Sequence, residues 1–74
     1  MVQYSAEVAL AQVEKQIAEA EAYIIRQRRI VAELQRVETD SAASRSLLNR
    51  LEEAQSRRLE RRDLLRRELS NRVF

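Results

Sequence analysis

No glycine and no proline occurs anywhere in the 74 residues, so the chain holds neither a specialist for positive φ nor a residue that breaks a helix. Sheets with tight hairpins need the first, and loop-rich folds need both. An all-α chain is what remains. Charged residues at 35% against hydrophobics at 45% match the profile of long helices and coiled coils better than that of a globule with a large core. We therefore expect one helical domain over residues 1–74.

The first helix shows itself by period. Leu10, Val13, Ile17, Ala20, Ile24, Gln27, Val31 and Leu34 alternate spacings of three and four, the rhythm of a packed seam, interrupted only by Gln27. With Leu10 at heptad position a, position g holds Ala9, Gln16, Tyr23, Ile30 and Val37, which widens the apolar stripe beyond what a two-stranded seam uses. Ser5 is the expected N-cap, with Glu7 favourably placed in the first turn.

From Val37 to Ala42 the apolar rhythm stops, and Thr39, Asp40 and Ser41 are residues whose side chains compete with the backbone for hydrogen bonds. The turn belongs there. The first helix should run over about 5–38, the turn over 39–41 and the second helix over 42–72. Without glycine at the end of the first helix, the linker should be short and its closing residue mildly strained or polar. The alternative is one uninterrupted helix of about 100 Å.

The second helix carries Leu47, Leu48, Leu51, Leu59, Leu65, Leu69 and Val73, but Gln55, Arg58 and Arg62 fill the middle of its best face. Folded back about Thr39 and Asp40, the hairpin should pair Leu34 with Leu47, Val31 with Leu51, Ile17 with Leu65 and Val13 with Leu69. The same alignment sets Gln27 near Gln55, Arg58 near Glu21 and Arg67 near Glu14. Within the second helix, Glu53 with Arg57, Asp63 with Arg67 and Glu68 with Arg72 are spaced for ion pairs.

Chemistry is constrained by further absences. The chain has no cysteine and no histidine, so it lacks a thiol, an imidazole base and the usual transition-metal ligands. Glu14 and Glu21 have the heptad spacing of di-metal carboxylate bundles, but those sites add a Glu-x-x-His motif that cannot be built here. Tyr4 and Tyr23 read as core or interface anchors rather than catalytic acids. No enzyme, cofactor or metal centre is expected. The longest uncharged stretches, Met1 to Ala6 and Val8 to Val13, fall far short of the roughly 18 residues that span a bilayer. Met1 to Tyr4 lacks the basic start of an export signal, which makes the cytoplasm the expected location.

The arginines Arg57, Arg58, Arg61, Arg62, Arg66 and Arg67 invite a phosphate-binding reading. Residues 40–74 hold nine arginines but also six acids, and no aromatic residue lies between these arginines to stack on a base. Contacts to phosphate or to an acidic partner through these six remain the alternative function. Binding along a membrane surface fits less well, because acids sit among the arginines and bulky aromatics are missing.

Two helices of this length bury only a strip of each other, and a core this small supplies no more than about 3–5 kcal/mol. Self-association is the remaining source of burial, and an antiparallel homodimer forming a four-helix bundle is the expected assembly. Its interface is expected to use Leu10, Val13, Ile17, Ala20, Tyr23, Ile24, Gln27, Ile30, Val31, Leu34, Leu48, Leu51, Gln55, Leu65 and Leu69. Ile25 falls outside that seam.

The run Ile17-Ala18-Glu19-Ala20-Glu21-Ala22-Tyr23-Ile24-Ile25-Arg26-Gln27-Arg28-Arg29-Ile30-Val31-Ala32-Glu33-Leu34, followed by Asp40-Ser41, Leu47-Leu48 and Leu51-Glu52-Glu53, resembles a family of small uncharacterised bacterial proteins. Arg26-Gln27-Arg28 with its flanking isoleucines is the most specific part. The resemblance implies a short two-helix protein and assigns no activity and no functional residue.

Overall fold

The computed structural model describes residues 5–71. Tyr4, Arg72 and Val73, and with Arg72 the expected pair to Glu68, lie outside them. Two helices, α1 (Ala6–Arg36) and α2 (Ala42–Asn71), fold back on each other as an antiparallel hairpin. The molecule measures 56 × 26 × 15 Å, so the single-helix alternative is excluded.

Ser5 caps α1 as its side chain suggests. Its backbone is extended, and its Oγ accepts from the Val8 N–H at 3.3 Å while donating to Glu7 Oε2 at 3.0 Å. At the other end α1 stops at Arg36, earlier than the sequence alone indicates. The Thr39 N–H donates to the Leu34 carbonyl at 2.9 Å and the Glu38 N–H to that of Gln35 at 3.2 Å, a Schellman closure. Its left-handed position, normally glycine, is filled by Glu38 at φ 56°. The expectation of a mildly strained or polar closing residue is met by Glu38 on both counts. Asp40 Oδ1 then accepts from the Ala42 N–H at 3.0 Å, and the Arg45 N–H reaches back to the Ser41 carbonyl at 2.8 Å to begin α2.

Turning at Glu38, not about Thr39 and Asp40, changes several of the expected polar partners, while Val13, Ile17, Leu65 and Leu69 gather in one cluster, as the expected Ile17–Leu65 and Val13–Leu69 pairs require. Gln27 does not meet Gln55: it reaches Ser44, and Gln55 reaches Ile17. Arg66, not Arg67, meets Glu14, and Arg58 bonds to Gln55 and not to Glu21. The expected seam faces of both helices are the ones turned inward.

The core is thin and runs along the seam. Ala6, Val13 and Leu65 form a buried cluster, with Ala9, Leu10, Ile17 and Leu69 packed half-buried around it. Ile24 and Val31 continue the buried line of α1 toward the turn. Ile25 is outside the seam, as its heptad position requires.

Replacing Glu38 with glycine should stabilise the hairpin by about 0.5–1 kcal/mol, the relief of left-handed strain less the added chain entropy of glycine. Thermal unfolding followed by circular dichroism measures this, and an unchanged midpoint would mean that Glu38 sits there without strain.

Candidate interaction surfaces

Two glutamines hold the polar middle of the seam. They stand four heptads apart, at equivalent positions on the two helices. Gln27 Nε2 donates to the Ser44 carbonyl of α2 at 2.9 Å, and Gln55 Nε2 donates to the Ile17 carbonyl of α1, also at 2.9 Å. Each helix thus sends one buried amide across to the backbone of the other. Gln55 Oε1 also accepts from Arg58 Nη1 at 3.1 Å. Among the described residues no buried side-chain nitrogen or oxygen is left without a partner. Polar residues at seam positions fix alignment at some expense of stability, and the two bonds here do so from both helices.

The two flanks of the seam differ in chemistry. On one, position e of α1 meets α2: Glu14 pairs with Arg66 at 3.1 Å and Arg28 with Glu52 at 3.9 Å. All four side chains are substantially exposed, so each pair is worth only about 0.2–1 kcal/mol. On the other flank, position g of α1 presents Tyr23, 64% exposed, Ile30, 40% exposed, and Val37. The adjoining edge of α2 carries Leu47, 46% exposed, and half-buried Leu51 and Ala54. An open groove of about 340 Å³ runs here, lined by Gln16, Glu19, Ala20, Tyr23, Leu51 and Arg58. A second, almost wholly apolar, is formed by Ile30 and Leu34 with the stems of Arg26, Arg29 and Glu33.

The expected self-association residues therefore divide. Val13, Ile24, Gln27, Val31, Gln55 and Leu65 are buried inside one hairpin, and Leu10, Ile17, Ala20, Leu34, Leu48, Leu51 and Leu69 are half-buried beside them. Tyr23 and Ile30 alone of that set lie open to solvent. The a/d seam is thus consumed within the chain, and position g is left for anything outside it.

Of the six arginines singled out by sequence, four are already engaged. Arg58 bonds Gln55; Arg62 bonds Asp63 Oδ1 through both Nε and Nη2 at 3.1 Å; Arg66 pairs with Glu14; Arg67 Nε reaches the Asp63 carbonyl at 3.4 Å. The expected Asp63–Arg67 and Glu53–Arg57 side-chain ion pairs are not among those formed by the described residues. Arg57 and Arg61 remain without a bonding partner among the described residues and share the outer face of α2 with Arg50, Leu47 and Leu64. These residues share heptad positions c and f, whereas adjacent arginines in the doublets point in different directions on the helix. No cluster of acidic residues able to hold a metal occurs among the described residues.

Near the end of α1, Arg36 grips Glu33 with both arms of its guanidinium, at 2.6 and 3.0 Å. The bond holds the Glu33 carboxyl below its ordinary pKa and raises that of Arg36. A lowered carboxyl pKa stabilises the fold above the ordinary value, and the contribution fades as pH falls through the lowered one. The Glu33 carboxyl should accordingly titrate below a free glutamate by NMR, and Arg36→Ala should return it to the ordinary value.

No protein-family model, curated protein or solved structure matches the chain. No described helix is long and apolar enough to cross a membrane.

Exchanging both seam glutamines for leucine should raise the thermal midpoint while loosening the alignment of the helices. A spin-label distance between residues 12 and 66 should then broaden. A distribution as narrow as in the unaltered chain would mean that the turn alone sets the register.

Proposed function

We propose that this chain is a small non-enzymatic helical hairpin of the cytoplasm that pairs with itself and serves as a structural or protein-interaction module. The supporting observation is the asymmetry of the two flanks. One is closed by ion pairs between the helices, while the other leaves Tyr23, Ile30 and Leu47 exposed along its length. Single exposed apolar residues are ordinary on a protein surface, but a contiguous patch rimmed by charge marks a place where another surface docks. A homodimer closing this flank would form a four-helix bundle and supply the burial that a two-helix core lacks.

Light scattering tests this directly. The unaltered protein should have the mass of a dimer, and Tyr23→Glu combined with Ile30→Glu should reduce it to a monomer without loss of helix content. A monomeric mass for the unaltered chain at all concentrations would overturn self-association. Ile24 cannot serve as the probe, because at 2% exposed it lies in the core of each hairpin, and a charge there would unfold the chain itself.

A second reading draws on Arg50, Arg57 and Arg61, which form an outward basic stripe with no acid between them at positions c and f. Phosphate binding through these three predicts affinity for any duplex, falling steeply with salt. Absence of binding at low ionic strength would end that reading.

A further inference from the structure

Resting on the self-association just proposed, we infer that the partner is a second copy packed antiparallel across the open flank, with its two-fold axis at Ile30. Three observations converge on that position. First, the exposed apolar residues at position g of α1 are spaced symmetrically about it: Tyr23 lies seven residues before Ile30 and Val37 seven after. An antiparallel copy of α1 centred on Ile30 sets Ile30 against Ile30 of the second copy, and Tyr23 against Val37 of the second copy. Every apolar residue of the stripe, about 21 Å long, then meets an apolar residue.

Second, the charges bordering the stripe complement one another in this register. Arg26 and Glu33 occupy successive c positions beside it and line the apolar groove with Ile30. Reversal about Ile30 brings Arg26 opposite Glu33 of the second copy, and Glu33 opposite Arg26 of the second copy. Glu33 is bound to Arg36 of its own helix, but a carboxylate has about four acceptor sites and takes a second guanidinium. Third, α2 agrees in height. The groove shared by Val31, Ser46 and Leu48 sets Leu47 about level with Ile30. The same axis therefore brings Leu47 against Leu47 of the second copy.

Competing registers fit less well. An axis midway between Tyr23 and Ile30 places Arg26 against itself and Glu19 against Glu33 of the second copy. An axis at Tyr23 allows Glu19 to meet Arg26 of the second copy, but it sets Gln16 against Ile30 and leaves Val37 and Leu47 uncovered. Only the Ile30 axis satisfies both the apolar stripe and its charges.

The test uses two charge-reversal variants of the full chain. Arg26→Glu alone should weaken self-association about tenfold or more, because acid then faces acid twice, and Glu33→Arg alone should do the same with bases. Mixed in equal amounts, the two variants should form a heterodimer, since each residue 26 again meets an opposite charge at residue 33. As the chain has no cysteine, Ile30→Cys supplies a second readout: it should cross-link into a disulfide dimer under mild oxidation, and Tyr23→Cys should not. A heterodimer with cross-linking at residue 30 supports the register. A dimeric unaltered protein with no preferred heteropairing, or with cross-linking at residue 23 instead, overturns the register and leaves self-association standing. A monomeric unaltered protein overturns both.

Discussion

The hydrogen bond from the Thr39 N–H to the Leu34 carbonyl decides where the chain reverses, and the rest of the hairpin is measured from that point. Because α2 is tied to α1 by so short a turn, the place of the reversal sets the alignment of the helices. The polar partners of Gln27, Gln55 and Glu14 change with it, while Val13, Ile17, Leu65 and Leu69 stay together in one cluster. The glutamines then act on an alignment the turn has already brought close. Gln27 and Gln55 each find a carbonyl on the opposite helix, and neither bond would form in an alignment displaced by a turn.

The seam between the helices is unequal along its length. Ala6, Val13 and Leu65 pack at one end, while the middle is occupied by two glutamines and by half-buried Arg58 and Arg62, Arg58 bonding Gln55 and Arg62 bonding Asp63. A polar middle of this kind contributes specificity of alignment more than stability. It also explains why α1 carries more apolar surface than α2 is able to cover. α2 uses positions d and g, and α1 responds with a and d, so the g residues of α1 are displaced to the edge.

Much of the fold could be read from residue types and spacing. The lack of glycine and proline pointed to helices, Ser5 to the start of α1, and the run Thr39-Asp40-Ser41 to the neighbourhood of the turn. The reversal point could not be read, because it depends on a residue that ordinarily avoids the left-handed region, and nothing about Glu38 distinguishes it from any other solvent-facing glutamate. The candidate surface was legible only in part. Periodicity places Tyr23 and Ile30 in the apolar stripe with Ile24 and Val31, but it does not say which half of a wide stripe the partner helix covers. That is settled by the face α2 offers, and so by Gln55, Arg58 and Arg62 on the other helix. The arginine doublets misled for a related reason: neighbours in sequence point in different directions on a helix, and several were drawn into bonds with Gln55, Asp63 and Glu14.

The position of the buried cluster also bears on the order in which the chain assembles. Ala6 and Leu65 are separated by most of the sequence, so bringing them together closes a loop nearly as long as the whole described chain, whereas the turn at Glu38 involves only local contacts. Loop closure costs more as the loop lengthens, and helical segments form faster than distant contacts. Folding should therefore proceed from the turn outward, with the glutamines engaging in passing and the cluster of Ala6, Val13 and Leu65 completed last. A helical hairpin built this way zips from its turn toward its open end.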